Sequence, residues 1–287
     1  MWFRNVFGVR EAGKVEEAFR FFADAGRLAC LSSGREFACG QFSTPDLHSL
    51  REQVQAARED GTLQFEHVAT GDIFLWHAKH PQATFQVASQ FNCLEFPDPN
   101  SVPSDGITNY VYDQTQGPAC SVVCAPATLV RNYFVGQTDD NQINNLQDLE
   151  QALGEVGQYF DVRNGYVDSD SARIQLLNQA LDLADRNELL GLIRVGWHRQ
   201  CQVVFATRDY EVLSNEVLVS QVFCSAISCA YAAEVSLEEW ELLAQLVLDA
   251  AYEATLLCAY LDKVQGVGNG KVFLTLLGGG VFGGSKH

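Results

Sequence analysis

Two mostly apolar runs on either side of one long helical segment are the feature that most constrains this fold. Residues 215–225 (NEVLVSQVFCS) and 271–277 (KVFLTLL) are typical of strands that are covered on both faces of a parallel sheet. Residues 236–264 between them predict a long helix, which opens with the capping-box pattern of Ser236 and Glu239. A strand, a helix and a second strand in this order predict a βαβ unit.

The rest of the chain alternates in a similar way. Apolar stripes at helical spacing predict further helices at 15–26, 44–61, 119–134, 145–156 and 169–188. Alternating or apolar segments predict further strands at 36–42, 63–69, 83–91 and 194–206. Pro126 is expected to kink or break its helix, and Ser169 is a plausible N-cap. The pattern predicts an α/β fold with both faces of the sheet covered by helices.

The charge balance limits the partners of the chain. It has 36 acidic and 19 basic residues, a formal net charge of −17, and 47% hydrophobic residues. This hydrophobicity excludes an intrinsically disordered chain. The acidic balance argues against binding a nucleic-acid backbone through a broad basic face. It does not exclude a small anionic ligand, since backbone N–H groups at a helix N-terminus or a glycine-rich loop can hold a phosphate.

The cysteines and the chain ends predict a cytoplasmic protein. Nine cysteines, an odd number, lie mostly in apolar runs without a CxxC spacing, so we expect a reducing compartment and neither a metal nor another cofactor. Arg4 and Arg10 interrupt the apolar N-terminus, which is not a signal-peptide pattern. Asp249 and Glu253 interrupt the longest apolar stretch, 242–261, so we expect no membrane span.

Four short segments are predicted to lie where strands end, which is where α/β sheets bind ligands. They are TGDI (70–73), SQFNCLEF (89–96), DQTQGPAC (113–120) and GGGVFGG (278–284). Consecutive glycines allow a close backbone approach to a diphosphate. The last segment matches neither the dinucleotide GxGxxG pattern nor a P-loop, and a flexible glycine-rich tail is its alternative interpretation.

The other three segments offer polar groups of the kinds that bind a nucleotide sugar. Asp72 presents a carboxylate at a turn, and the amides of Gln90 and Asn92 can hydrogen-bond sugar hydroxyls. A Gly-Pro turn at 117–118 opens a helix of small residues, where a ligand could lie against the helix N-terminus. Each segment alone suits an ordinary turn or cap equally well or better, so their order along the chain is the informative feature.

In this order the motifs resemble the macrodomain family of ADP-ribose-binding modules. That pattern has a GDI before a strand that ends in an N-A-A-N-like motif, then a glycine-rich loop leading into a helix, and finally a strand running into G-x-G-x-F/Y-G. The resemblance covers roughly 36–284 with an unmatched insert around 136–215. It implies a macrodomain-like domain over 36–287, a three-layer α/β/α mixed sheet with a helical insert, and an N-terminal helical extension over 1–35.

The resemblance also implies a ligand and residue roles. The ligand is ADP-ribose, or an ADP-ribosylated protein or nucleotide. Asp72 would hydrogen-bond the adenine amino group with Ile73 beside it, and Asn92 would face the distal ribose, with Gln90 close by. The first diphosphate loop would be Gly117, Pro118 and Ala119. The second would be Gly278, Gly279, Gly280, Val281, Phe282 and Gly283, with Phe282 against the distal ribose.

The chain departs from the family pattern in three places. Ser89 stands where the pattern has its first Asn, and the first loop reads QTQGPAC instead of three glycines. The family pattern continues through one more helix after its last loop. We therefore expect either a longer natural chain or that element supplied elsewhere in the fold.

Whether the chain is an enzyme is left open by the sequence. Hydrolysis of an ADP-ribosyl linkage needs an activated water near the anomeric carbon. Glu95 and Asp113 are the candidates for a base or a water-positioning group, with Asn92 orienting the sugar. The alternatives are a non-catalytic reader module that retains the fold, and a hydrolase that acts on another nucleotide derivative.

Overall fold

The computed structural model describes residues 2–57, 62–68, 71–232, 234–279 and 282. The helices within them are α1 (Trp2–Phe7), α2 (Leu47–Ala56), α3 (Ile73–Lys79), α4 (Gln116–Val123), α5 (Ala125–Tyr133), α6 (Gln147–Leu153), α7 (Ser171–Leu183), α8 (Arg186–Gly191) and α9 (Leu237–Val264). The strands are β1 (Phe19–Phe22), β2 (Arg27–Cys30), β3 (Glu36–Ala38), β4 (Gln41–Ser43), β5 (Thr84–Ala88), β6 (Asp161–Arg163), β7 (Tyr166–Asp168), β8 (Gly196–Gln202), β9 (Leu218–Cys224) and β10 (Val272–Phe273).

A five-stranded mixed sheet in the order β10-β5-β9-β8-β4 organises the molecule. Strands β10, β5 and β9 run parallel, β8 is antiparallel to β9, and β4 is antiparallel to β8. Strands β1, β2 and β3 form a separate antiparallel sheet, and β6 and β7 form a hairpin. The predicted α/β class with a mixed sheet is confirmed.

Strand β9 shows how the two faces of the sheet are covered. Successive strand residues point to opposite faces. The amide of Gln221 donates from one face to the carbonyl of Cys120 on α4, at 2.9 Å. The thiol of Cys224 lies on the other face, 3.6 Å from the carbonyl oxygen of Ala251 on α9. One apolar cluster joins the sheet to α1, α4 and α5, and a second joins it to α2, α7, α8 and α9. The sheet is therefore the middle of three layers.

Helix α9 begins as the sequence predicts. The Oγ of Ser236 accepts the backbone N–H of Glu239 at 3.3 Å, and the Glu239 carboxylate accepts the backbone N–H of Ser236 at 2.9 Å. By length and composition alone this helix could cross a membrane. In the structure, half of its most apolar window is buried, and the helix packs on β9, α2, α7 and α8. Burial against the sheet accounts for its apolar composition.

The N-terminal segment differs from its prediction. Residues 15–26 are not a helix, because Val15–Ala18 forms a single 3-10 turn and Phe19–Phe22 is strand β1. Aromatic residues favour strands, and pairing of β1 with β2 satisfies the backbone there. The stretch 1–35 is therefore only partly helical. Its α1 packs into the same apolar cluster as the sheet, and its boundary as an extension stays a prediction.

Two predicted strands are also wrong. Residues 36–42 form two strands in different sheets, because the chain turns at Gly40 with a φ of +72°, where a Cβ would lie 1.9 Å from the carbonyl oxygen of Arg199. Of the strand predicted at 63–69, residues 63–68 form no strand although they alternate, and Phe65 is 81% exposed. Alternation of apolar and polar residues indicates a possible strand, but a strand forms only where the fold places another strand beside it. Residue 69 lies outside the described residues.

Other boundaries were predicted closely. The apolar helix at 119–134 breaks at Cys124, ahead of Pro126, into α4 and α5. The helix predicted at 169–188 begins one residue later than expected, since Asp170 is the N-cap and accepts the N–H of Arg173 at 2.9 Å. It is not continuous to 188, because α7 ends at Leu183 and Asp185 caps the separate helix α8. The strand predicted at 271–277 is paired only at Val272–Phe273. Strand β8 falls inside the range predicted as an insert, whose limits stay a prediction.

Two histidines are fully buried in the described core. The Nδ1–H of His77 donates to the carbonyl of Ile73 at 2.8 Å, and its ring stacks on Phe85 with centroids 3.7 Å apart. The Nε2–H of His198 donates to the carbonyl of Cys39 at 2.7 Å. Burial lowers the pKa of His77 to about 4, and burial together with Arg131 lowers the pKa of His198 well below its ordinary value. Both rings are therefore neutral in the folded protein.

These histidines predict a loss of stability in mild acid. The unfolded chain binds protons on both rings below about pH 6.5, whereas the folded protein does not. The free energy of unfolding should therefore fall as the pH drops from 6.5 toward 4, by roughly 3 kcal/mol for His77 alone. Urea unfolding at a series of pH values measures this. His77→Gln should flatten the slope, whereas substitution of the exposed His48 by Gln should leave it unchanged. Equal slopes in all three proteins would contradict the assignment.

Candidate functional site

A cavity of about 210 Å³ opens at the carboxyl ends of β5, β9 and β10, and we call it the strand-end cavity. It lies at the edge of the sheet where α/β proteins bind ligands. The strand ends contribute Ala88, Ser89, Gln90, Cys224, Ala226, Thr275, Leu276, Leu277 and Gly278. The walls are Glu95, Phe96, Pro97, Asp113, Thr115, Gln116, Pro118, Tyr166, Tyr231 and Phe282.

A wider depression of about 700 Å³ lies elsewhere, beside α1, and it includes Arg4, Arg35 and Tyr210. The guanidinium of Arg35 already donates to the carbonyls of Asn5 and Val6, both at 2.6 Å. It therefore holds the end of α1. Polar groups converge from several elements in the strand-end cavity, which makes it the better candidate for a ligand site.

The strand-end cavity exists because β10 is short. Beyond Phe273, no strand among the described residues lies beside the outer edge of β5. The side chain of Gln116, the first residue of α4, takes the place of a strand residue. Its Oε1 accepts the N–H of Ala88 and its Nε2 donates to the carbonyl of Gln86, both at 2.8 Å. An amide side chain has the donor and acceptor of a peptide group, so it satisfies the edge and anchors α4 there.

A second buried amide holds the loop that follows β10. The Oε1 of Gln86 accepts the N–H of Thr275 at 3.1 Å, and its Nε2 donates to the Oγ1 of Thr255 on α9 at 3.0 Å. The hydroxyl of Tyr252 on α9 donates to the carbonyl of Thr275 at 2.8 Å and accepts the N–H of Leu277 at 3.2 Å. These bonds tie the loop to α9, so that it forms a wall of the cavity.

Gly117 allows the first turn of α4 to approach β5. A Cβ at this position would lie 1.8 Å from the carbonyl oxygen of Ala88 and 2.4 Å from Oε2 of Glu95. The close packing therefore requires glycine, independently of any ligand. Of the predicted first diphosphate loop, Pro118 lines the cavity, whereas Ala119 packs in the apolar core.

Glu95 is a buried acid in the wall of the cavity. Glu95 is only 1% exposed, and its Oε1 has no hydrogen-bond partner among the described residues. Burial raises the pKa of Glu95 well above the ordinary value; Asp113 acts in the same direction and Arg131 opposes it. A carboxyl group in such surroundings favours the protonated form, in which it can donate a hydrogen bond or a proton. An orphaned buried oxygen is also a group that a ligand can satisfy.

Arg131 places a buried cation behind this wall. Its Nε donates to the carbonyl of Cys93 at 3.2 Å, and its Nη2 donates to the hydroxyls of Ser121 and Thr128 at 3.0 and 3.1 Å. Its guanidinium lies 3.7 Å from the ring centre of Phe223. The cation is thus stabilised by dipoles and an aromatic face, and it fixes the strained loop at Cys93, where φ is +62°.

Asp113 completes the acidic part of the lining. It is half-buried, and its carboxylate accepts the N–H of Thr115 at 2.8 Å just before α4 begins. The cavity-lining residues that the structure describes include neither lysine nor arginine. An anionic group in this cavity would have to be held by backbone N–H donors.

The two amides predicted to face a sugar are occupied inside the protein. Gln90 lines the cavity, but its Nε2 donates to the carbonyl of Phe96 at 3.2 Å and its Oε1 accepts the N–H of Phe96 at 3.0 Å. Asn92 is fully buried outside the lining. Its Nδ2 donates to Oε1 of Gln142 at 2.7 Å, and its Oδ1 accepts the N–H of Leu94 at 3.0 Å. Both amides shape the loop after β5.

The remaining predicted ligand residues are divided between the cavity and other places. Asp72 caps α3, where its carboxylate accepts the N–H of Phe74 at 3.0 Å, and Ile73 packs against the apolar core. Neither lines the cavity. From the second predicted diphosphate loop, Gly278 and Phe282 line the cavity and Gly279 does not. The residues of this loop that lie outside the described residues are Gly280, Val281 and Gly283.

Sequence reasoning missed the aromatic wall of the cavity. Tyr166 lies edge-on to Tyr231 with ring centres 5.3 Å apart, and Phe282 lies 5.8 Å from Tyr166 and 6.1 Å from Tyr231. The dipeptide Asn164-Gly165 before Tyr166 is a hairpin-turn signal that could have located it. Tyr231 carries no such signal.

The described residues provide little for metal or thiol chemistry. Within the parts of the chain that the structure describes, no group of three or more His, Cys, Asp or Glu side chains could hold a metal ion. All nine cysteines are buried and unbridged. Cys224 lines the cavity, and burial raises the pKa of its thiol to about 12, so it is not an activated nucleophile.

Comparisons with known proteins report a similarity of structure. The chain is similar to the crystal structure of a poly(ADP-ribose) glycohydrolase from Thermomonospora curvata, with 12% sequence identity and a TM-score of 0.34. The superposition covers 94% of this chain and 78% of the other. No protein-family model and no curated protein sequence matches this chain.

The packing at Gly117 predicts a specific loss of stability. Gly117→Ala should lower the free energy of unfolding by about 1–3 kcal/mol, because its Cβ would collide with the backbone of β5. Urea unfolding measures the change. Gly71→Ala is the control, since a Cβ there would meet no atom within 4 Å. If both variants have the same stability, the first turn of α4 does not pack as described.

The buried position of Glu95 predicts how its neutral isostere behaves. A group with a raised folded pKa contributes stability below the unfolded pKa and loses it as the pH rises. Glu95→Gln should therefore become more stable relative to the native protein as the pH rises from 4.5 to 8. Urea unfolding at both pH values measures this difference. Glu155→Gln, at an exposed position, should show no such trend. A difference for Glu95→Gln that does not change with pH would refute the raised pKa.

Proposed function

We propose that the strand-end cavity binds ADP-ribose or the ADP-ribosyl group of a modified protein or nucleotide, and that the protein hydrolyses the ADP-ribosyl linkage. One observation carries this proposal. Three of the four segments that resemble macrodomain motifs meet in one cavity at the carboxyl ends of parallel strands, represented there by Gln90, Pro118 and Gly278. The glycine-rich segment at 278–284 is distant in the sequence from the other two, and a chance resemblance gives no reason for all three to share a cavity.

The lining supports a ligand that is held mainly by backbone groups. The first turn of α4 and the loop at Gly278, where φ is +70°, both reach the cavity. Backbone N–H groups at such places can receive a diphosphate without any basic side chain. The cavity is too small to enclose a whole ADP-ribose, so the proposal places one end of the ligand inside and the rest along the rim.

Glu95 and Asp113 are the proposed catalytic residues. In this proposal, Glu95 carries a proton in the buried wall and donates it to the leaving oxygen as the glycosidic bond breaks. Asp113 positions the water that attacks the anomeric carbon and accepts its proton. Carboxyl groups in unequal surroundings are suited to such a division of acid and base roles. Glu95 is the more buried of the two, and burial raises its pKa.

The second candidate function is a reader module that binds the same group without cleaving it. It is supported by Asn92, the residue predicted to orient the sugar, because the amide of Asn92 is hydrogen-bonded within the protein. Since both polar atoms of that amide already have partners within the protein, the site has fewer free groups for catalysis than the sequence suggested.

A calorimetric titration with ADP-ribose, followed by a turnover assay on ADP-ribosylated protein, tests the proposal. We expect saturable binding to the native protein. Glu95→Gln and Asp113→Asn should each slow hydrolysis by about 100-fold or more while changing the affinity much less, because they remove proton transfer and leave the shape of the cavity. Glu155→Gln is the matched control at an exposed position.

The outcomes separate the candidate functions. Absence of binding at millimolar ADP-ribose would refute both of them. Binding without turnover of any ADP-ribosylated substrate would favour the reader module. Asp72→Ala tests where the adenine of the bound ligand lies. If the adenine reaches the start of α3, the binding free energy should weaken by about 1–3 kcal/mol. Unchanged affinity would place the adenine elsewhere.

A further inference from the structure

The hairpin of β6 and β7 belongs to the region predicted as an insert, and it packs beside the strand-end cavity. Its two strands pair Asp161 with Asp168 and Arg163 with Tyr166. The turn is Asn164-Gly165, and both residues have positive φ, at +49° and +77°. Two residues with positive φ are characteristic of the tight turns that twist with their strands. The turn is therefore compact and can enter a narrow space.

Three hydrogen bonds hold this turn: two join it directly to the segment that follows β5, and one joins it to Gln142. The Nδ2 of Asn164 donates to the carbonyl of Pro99 at 2.8 Å. The N–H of Phe91 donates to the carbonyl of Gly165 at 3.0 Å. The Nε2 of Gln142 donates to Oδ1 of Asn164 at 2.8 Å, and its Oε1 accepts the Nδ2 of Asn92 at 2.7 Å. Gln142 thus bridges the hairpin turn to Asn92.

Asn92 also contacts the turn through packing. A Cβ on Gly165 would lie 2.7 Å from Cγ of Asn92 and 2.6 Å from Cβ of Gln90. Asn92 is 0% exposed, and its other amide atom accepts the N–H of Leu94. The turn therefore rests directly on Asn92, in a space that admits only glycine.

The docked turn determines where Tyr166 lies. Tyr166 directly follows Gly165 and lines the cavity. Its hydroxyl donates to the carbonyl of Phe96 at 3.0 Å and accepts the Nε2 of Gln90 at 3.4 Å. Its ring packs edge-on against Tyr231. The turn therefore fixes the backbone of Tyr166, and these contacts fix its side chain.

We propose that Tyr166 is the specificity-determining wall of the strand-end cavity, and that Asn92 is a positioning residue that acts on it through the hairpin turn. This inference rests on the proposed function and assigns the insert a part in the ligand site. An aromatic wall favours a ligand part with a flat or apolar ring face over a free phosphate. In an ADP-ribosyl group, both the base and the ribose offer a ring.

The experiment compares variants that undock the turn with one that does not. Gly165→Ala should undock the turn because its Cβ would collide with Gln90 and Asn92. Asn92→Ala should undock it because the hydrogen bond to Gln142 is lost. Gly136→Ala is the matched control, because Gly136 has a similar φ of +84° but no atom within 4 Å of its Cβ position. Amide hydrogen exchange of 161–168 needs no ligand. We expect protection to fall at least tenfold in the two undocking variants and to stay unchanged in Gly136→Ala.

Ligand binding is measured on the same proteins. The Kd for ADP-ribose should rise at least tenfold in Gly165→Ala, Asn92→Ala and Tyr166→Leu. Tyr166→Phe retains the ring and should lose much less affinity than Tyr166→Leu. In a turnover assay, Gly165→Ala should raise KM far more than it lowers kcat. Adenosine and ribose 5-phosphate are titrated separately. The probe whose affinity falls in Tyr166→Leu carries the ring that the wall contacts.

The outcomes distinguish this inference from the proposed function. If the native protein does not bind ADP-ribose, the proposed function fails, whereas the exchange data still decide whether Asn92 docks the hairpin. If the hairpin undocks and the affinity for every probe stays the same, Tyr166 is not a ligand wall. If Asn92→Ala leaves 161–168 protected and yet abolishes binding, Asn92 contacts the ligand directly and the positioning role is wrong.

Discussion

The unpaired edge of β5 is the constraint on which the rest of the site depends. Strand β10 stops at Phe273, so the peptide groups of Gln86 and Ala88 need other partners, since buried backbone groups must be hydrogen-bonded. The amide of Gln116 supplies them, and this places the start of α4 beside the strand end. The side chain of Gln86 then holds the loop at Thr275. The cavity is the space left between that loop and α4.

Burial of charge is the second organising feature, and it gives the site its chemical character. Glu95 and Arg131 are both buried, and the hydrogen bonds that the structure describes for the Arg131 guanidinium go to neutral groups of Cys93, Ser121, Thr128 and His198. Arg131 is stabilised by neutral acceptors and by the face of Phe223, whereas Glu95 keeps one unpartnered oxygen. Burial raises the pKa of Glu95 against the opposing effects of Arg131 and of a hydrogen bond with Ser89, and this favours the neutral form of the carboxyl group.

Local signals predicted the elements well where the local preference and the tertiary packing agree. The capping box at Ser236, the helix break before Pro126 and the buried strand that ends at Cys224 are all observed. The predictions failed where pairing decided the outcome. Residues 19–22 form a strand because β2 lies beside them, and 63–68 do not form one although they alternate. Neither outcome is determined by periodicity, because a strand requires a partner that is often distant in the sequence.

The sequence by itself determined the α/β class and the long central helix, because these follow from short-range periodicity and caps. Three of the four segments that it singled out reach the cavity, whereas Asp72 of the fourth caps α3 outside the lining. Only the tertiary structure decided which side chains line the cavity. It brings Tyr166 to Gln90, 76 residues away, and it joins Asn92 to Gln142, 50 residues away. From the sequence alone, an amide such as that of Asn92 is equally suited to bind a sugar or another side chain of the protein. The neighbour that satisfies it is set by long-range packing, which no local pattern records.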